Sequence, residues 1–164
     1  MTLFLIGMMG TGKSTIGKIL SVQIGLPFID LDKEIIKNEE RTIDEIFRLK
    51  GEKHFRLLET EALKKVENSV CACGGGIVLN NDNIKYINKK GISIFLETKI
   101  DELSQRIGSS KFRPLLKGDK IKNQLKKIWD QRKAKYISSA NIIIQTHNKS
   151  PNDIAIEIKK TLHL

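Results

Sequence analysis

The chain is short of aromatics, histidine and cysteine, and each shortage closes off a class of function. Aromatic side chains make up 5% of its 164 residues and the basic residues are scattered along the chain. That is a poor basis for the stacking platforms and basic stripes of a nucleic-acid binder. The formal charge of +10 therefore reads as a field that attracts small anions, with many lysines solvating helix faces. His54, His147 and His163 have no metal-ligand spacing with one another or with Cys71 and Cys73, which leaves no structural zinc motif. The two cysteines alternate along an apparent strand and are expected to be buried, reduced thiols. No apolar run approaches the ~18 residues of a membrane span. Met1 to Ile6 leads straight into a glycine loop instead of a cleavable signal, so a cytoplasmic protein is expected. With no repeat, low-complexity tract or proline-rich or glycine-serine linker, residues 1–164 are read as one domain.

What is present is a β-α alternation. Short apolar runs at Leu3 to Ile6, Phe28 to Ile29, Val70 to Cys73, Ile92 to Leu96 and Ile142 to Ile144 are separated by helical stretches, the pattern of buried parallel strands in a doubly wound α/β sheet. Thr42 with Glu45, Thr98 with Asp101, and Ser150 with Asp153 each predict a capped helix start, the last with Pro151 in the first turn. Phe55, Leu58, Ala62 and Val66 repeat at helical spacing and predict one apolar face between Gly51 and Glu67, leaving the opposite face for charge. Gly108 to Asp119 is polar and interrupted by Pro114, and is expected to be a mobile surface loop.

Gly7-Met8-Met9-Gly10-Thr11-Gly12-Lys13-Ser14 satisfies G-x-x-x-x-G-K-[ST] between a predicted strand and a predicted helix, where a phosphate loop belongs. Glycines there let backbone amides wrap around phosphate oxygens at the positive end of the helix. Lys13 should reach the β- and γ-phosphates, and the Ser14 hydroxyl can ligate Mg²⁺. Asp30-Leu31-Asp32 closes the second apolar run, so its carboxylates should emerge at the carboxyl end of a strand, with alternation pointing them apart. Arginine occurs only at positions 41, 48, 56, 106, 113 and 132 among 29 basic residues; positions that keep it are candidates for needing its planar fork. Arg56 and Glu59, three apart on the expected polar side of their helix, form a candidate supporting pair. Arg113, in the expected mobile loop, could close over the transferring phosphates. Gly74-Gly75-Gly76 after the third run would let the backbone approach a ligand closely.

These segments, GMMGTGKST at residues 7–15, DLD at 30–32, GEKHFRLLE at 51–59, CGGGIVL at 73–79, RPLL at 113–116 and Arg132 with Tyr136, follow one another in the order seen in a known family. The chain resembles the shikimate kinase family, small members of the nucleoside monophosphate kinase-like group of P-loop proteins, over almost its whole length. The resemblance implies a three-layer α/β/α P-loop fold, a five-stranded parallel sheet flanked by helices, with substrate-binding helices at about 31–67 and a mobile lid at about 108–119. It also implies transfer of the ATP γ-phosphoryl group to the 3-hydroxyl of shikimate, a step toward chorismate and the aromatic amino acids. The implied enzyme is a monomer that needs Mg²⁺ and has neither a nucleic-acid nor a membrane partner.

Carried over residue by residue, the resemblance implies that Gly10, Thr11, Gly12, Lys13, Ser14, Thr15 and Arg113 serve the phosphates of ATP, with Arg106 stacking on adenine. Ser14 and Asp30 would hold Mg²⁺, partly through water. Asp32 would bind substrate hydroxyls and act as base, with Lys13 and Arg113 as its catalytic companions. Arg56 and Arg132 would grip the substrate carboxylate, Glu59 would orient Arg56, Gly75 and Gly76 would meet the substrate through their backbone, and Phe47 and Phe55 would line its pocket. The chain departs from the family pattern at Ser138 and Ser139, and at Cys71 and Cys73; the adenine loop at His147 to Pro151 matches mainly by its proline. Two other readings compete: a gluconate or nucleotide kinase on the same scaffold, and a non-enzymatic nucleotide-binding regulator.

Overall fold

The fold was analysed as a computed structural model, which describes residues 1–108 and 119–164. Five strands, β1 (Leu3–Ile6), β2 (Phe28–Asp30), β3 (Val70–Ala72), β4 (Ile92–Glu97) and β5 (Ile142–Gln145), form one sheet in the order β2-β3-β1-β4-β5. Every pairing is parallel, with Leu3 opposite both Val70 and Ile92. Helices α1 (Lys13–Ile24), α2 (Leu31–Glu39), α3 (Ile43–Lys64), α4 (Asn81–Lys90), α5 (Ile100–Gly108), α6 (Asp119–Ser139) and α7 (Pro151–Thr161) connect and cover the strands. Among the described residues no helix is long and apolar enough to cross a membrane.

Strand alternation sorts β1 between two cores. Leu3 and Leu5 join Ile16 and Leu20 of α1 and Ile154, Ala155 and Ile158 of α7. Phe4 and Ile6 face the other way, with Cys71, Cys73, Phe95 and Tyr136. Both faces of a parallel sheet must be covered, which is why its strands read as continuous apolar runs. A third, smaller cluster of Ile35, Ile46 and Phe55 joins α2 to α3.

Two of the three helix starts form as the sequence predicts: Thr42 with Glu45 and Ser150 with Asp153 each make the reciprocal capping box. The third does not. The Thr98 hydroxyl instead shares a 2.6 Å hydrogen bond with that of Thr146, across the paired ends of β4 and β5, and α5 begins two residues later. The helix predicted over Gly51 to Glu67 also differs. It is the second half of α3, whose backbone is non-helical at Gly51 (φ 79°, ψ 167°); it ends at Lys64, so that buried Val66 packs into the core from beyond its end.

Gly91 joins α4 to β4 in extended backbone, and the Ile92 amide donates to the Thr2 carbonyl at 3.0 Å. A methyl group on Gly91 would lie 2.1 Å from that same oxygen. Backbone on both sides leaves nothing flexible to yield. Gly91→Ala is expected to cost about 1–3 kcal/mol, lowering the thermal midpoint by about 2–4 °C per kcal/mol for a chain of this size. A melting curve that overlays the wild type would refute the close approach.

Candidate active site

At the carboxyl end of β1 the chain leaves the sheet and wraps into α1. Gly10 and Gly12 have φ of 81° and 89°, a region that residues with a Cβ seldom adopt, so the turn of the loop depends on these glycines. Thr11 is buried and its hydroxyl donates to the Met8 carbonyl at 2.9 Å, pinning the middle of the loop. Lys13 folds back, its Nζ donating to the carbonyls of Gly7 and Met8 at 2.8 Å each. Loss of solvent around the ammonium, partly offset by Asp32, brings the Lys13 pKa down to about 8.

Asp30, the last residue of β2, caps α2 through Oδ1, which accepts from the Lys33 amide at 3.3 Å, and accepts the Ser14 hydroxyl at 2.7 Å through Oδ2. A hydroxyl and a carboxylate held together beside a phosphate loop are hard oxygen donors, and two protein ligands suit Mg²⁺, which keeps most of its water. Asp32 sits in the first turn of α2. The two carboxylates are therefore not separated by strand alternation, because the strand stops between them; both line a cleft of about 360 Å³ with Lys13, Ser14, Thr15 and Gly75. Burial pushes the Asp32 carboxyl above its usual range and Asp30 adds to the rise, while Lys13 and Arg56 pull it back.

A second cleft of about 510 Å³ continues from the first, sharing Met9, Asp32 and Gly75 with it. Its walls include Phe47, Phe55, Arg56, Glu59, Gly76 and Arg132. Arg56 Nη1 donates to Glu59 Oε2 at 2.9 Å, and Glu59 is only 1% exposed. The expectation that this pair lies on a polar helix face is thus corrected: Glu59 points inward beside Phe55 and Leu63, where burial raises its carboxyl and the Arg56 charge restrains the rise. The Arg56 guanidinium lies against Gly76, where a methyl group would come within 2.3 Å of Nη1. Gly75 turns its carbonyl toward α6, accepting from Arg132 Nη1 at 3.1 Å and from the Tyr136 hydroxyl. Among the described residues, Asp32 Oδ1, Glu59 Oε1 and Arg132 Nε are buried without a hydrogen-bond partner, a set of donors and acceptors suited to a polar ligand.

The profile of the shikimate kinase family matches residues 9–163. A shikimate kinase of Bartonella quintana is 40% identical over 98% of this chain and 77% of its own length; one from Persephonella marina is 38% identical over 95% of both. The chain belongs to the shikimate kinase family. Among solved structures, the shikimate kinase of Acinetobacter baumannii in complex with shikimate superposes with a TM-score of 0.91 at 32% identity, covering 99% of this chain and 92% of that one. The Aquifex aeolicus shikimate kinase gives 0.86 at 36%, covering 99% and 96%.

Of the positions that the shikimate kinase pattern marks for nucleotide, Gly10, Gly12, Lys13, Ser14 and Thr15 line the first cleft, while the Thr11 side chain is buried within the loop. Arg106 reaches the loop's rim, donating to the Gly10 carbonyl at 3.3 Å and pairing with Glu102. Glu102 also faces His147 Nδ1 at 3.5 Å. All the positions marked for the acid acceptor, Asp32, Phe47, Phe55, Arg56, Glu59, Gly75, Gly76 and Arg132, line the second cleft. Arg113, and with it the expected lid, lies outside the described residues. Sequence reasoning missed Met9, which both clefts share, the anchoring of Gly75 by Tyr136, and Glu52, which pairs with Arg56. The four-residue interval from Glu52 to Arg56 was a usable signal for the last.

Because Lys13 is charged below about pH 8 and neutral above it, and polyphosphate favours the charged form, nucleotide binding should take up a proton on the alkaline side. ATP affinity is expected to fall steadily between about pH 8 and about pH 9.5, with a slope nearing one proton. Calorimetry in two buffers of different ionisation enthalpy measures the uptake. Affinity that holds level across that range would mean Lys13 does not meet the phosphates.

Proposed function

We propose that this chain transfers the γ-phosphoryl group of ATP to the 3-hydroxyl of shikimate, yielding shikimate 3-phosphate and ADP. The observation that carries this is the junction of the two clefts: the phosphate loop ends where a pocket holding two guanidinium groups begins, with Asp32 lining both. Family membership adds the substrate class, and the Acinetobacter baumannii relative is described in complex with shikimate.

In this mechanism the loop amides and Lys13 seat the β- and γ-phosphates, and Ser14 with Asp30 would hold Mg²⁺ partly through water. When bound, the ion neutralises charge on the β- and γ-oxygens. Arg56 and Arg132 hold the acceptor's carboxylate, which turns its hydroxyl toward Asp32 and the γ-phosphorus. The acceptor oxygen bonds to the γ-phosphorus as the bond to the β,γ-bridging oxygen breaks; the hydroxyl proton passes to the Asp32 carboxylate, and ADP leaves with the bridging electrons. A loose transition state asks mainly for position and charge neutralisation, and burial that raises the Asp32 carboxyl makes it a better proton acceptor near neutrality. Arg113 is assigned to the departing charge on the strength of the sequence pattern.

Two guanidinium groups in the acceptor cleft favour a carboxylic acid over a neutral sugar, since a carboxylate can use two donors at once. A coupled ADP-release assay with shikimate, quinate, gluconate and nucleoside monophosphates should give turnover with shikimate far above the rest. Turnover confined to gluconate or a nucleotide would replace the acceptor assignment, and none with any acceptor would favour the regulator. In the same assay Arg56→Lys is expected to raise KM for shikimate about tenfold or more with little change for ATP, because a point charge replaces a planar fork. An unaltered shikimate KM would remove Arg56 from the acceptor site.

A further inference from the structure

Arg56 makes two ion pairs of unlike quality. Its Nη1 meets buried Glu59 at 2.9 Å. Its other edge, Nε and Nη2, is taken by Glu52, and a single oxygen of that carboxylate, Oε1, accepts both bonds at 3.4 and 3.1 Å. A carboxylate matched to a guanidinium offers one oxygen to each nitrogen at about 2.7–2.9 Å, so Glu52 uses the fork poorly. Its side chain is 59% exposed, which places the pair among those that add little to stability. Yet Glu52 lines the same cleft as Asp32 and Arg132, and the edge it covers is the two-donor edge that an acid acceptor can use.

We propose that Glu52 is an internal competitor for the acceptor's carboxylate. It occupies the Nε/Nη2 edge of Arg56 until an acid able to engage both nitrogens displaces it, so the net affinity for the acceptor is the difference between two carboxylates bidding for one fork. Glu59 stays in place throughout and keeps the guanidinium against Gly76. The competition also sets specificity, because an acceptor without a carboxylate gains nothing at this edge and leaves Glu52 where it is. A simpler role for Glu52 is as a prop that steadies Arg56 or favours the helix start after Gly51. The two roles predict opposite signs: removing a competitor tightens acid binding, whereas removing a prop weakens it.

The inference rests on the acceptor assignment above, and the test separates the two. Shikimate binding is measured at equilibrium by calorimetry for the wild type, Glu52→Gln and Glu52→Ala, with shikimate methyl ester as the uncharged control and thermal melts to confirm folding. Both variants are expected to bind shikimate about two- to fivefold more tightly than the wild type, the size of a weak exposed ion pair. The gain should shrink as salt is raised, and should be absent for the ester and for the KM of ATP. Weaker or unchanged shikimate binding in both variants would overturn the proposal while leaving the acceptor assignment intact. A wild type that fails to bind shikimate would bring down the acceptor assignment and this inference together.

Discussion

The position of β1 between β3 and β4 is the constraint from which the rest of the active cleft follows. Parallel strands deliver their carboxyl ends to one edge of the sheet, and the phosphate loop leaves that edge at the middle. β3 lies next to it, so the glycines after β3 arrive beside the loop; β2 lies beyond, so Asp30 and Asp32 close the far side. The hydrogen bond from the Cys73 amide to the Leu5 carbonyl carries the β1–β3 pairing to the point where both strands end. No long-range folding of loops is needed to bring phosphate amides, carboxylates and glycine backbone together, since the register of three strands already does so.

Charge in the cleft is organised around that edge. Lys13, Arg56 and Arg132 face Asp32 and Glu59 within a partly buried volume, where uncompensated charge of either sign is costly. The shifts reflect the tension: burial lowers Lys13 and raises Asp32 and Glu59, while the opposite charges pull each of them back. Two acidic groups held above their ordinary range and one ammonium below it describe a site poised to exchange protons when an anion enters. Gly76 belongs to the same balance, because any side chain there would displace the guanidinium that keeps Glu59 compensated.

Features set by local chemistry were legible before the fold. The phosphate loop, five apolar runs and two of the capping boxes depend on neighbours within a few residues, and they form where the spacing places them. Features set by partners far along the chain were not. Thr98 looks like a helix cap until Thr146, on a neighbouring strand's exit, offers its hydroxyl. Glu59 looks like a surface charge because helical spacing reports only which residues share a face, while the burial of that face beneath residues 74–76 is decided by β3. The Arg56–Glu59 pair was legible from its three-residue interval, and Glu52, which takes the other edge of the same guanidinium, had a local signal in its four-residue interval that a pattern marking only the arginine passes over.

Gly51 joins these two levels. Phe47 and Phe55 are eight residues apart, so in an unbroken helix their backbones would be separated by about 12 Å along the axis. Their ring centroids lie 4.9 Å apart, which long side chains on a straight rod at that separation do not readily achieve. The left-handed φ at Gly51 interrupts α3 between them and lets its halves converge. The first half then contributes Ile43, Asp44 and Phe47 to the acceptor cleft and the second Glu52, Phe55, Arg56 and Glu59. One helix thus supplies two walls of a pocket, and the capping box at Thr42, by restarting the chain after α2, sets where the first wall begins. A residue with a Cβ at position 51 would be strained in this conformation, and straightening the helix to relieve it would carry Phe47 away from the Phe55 ring it packs against.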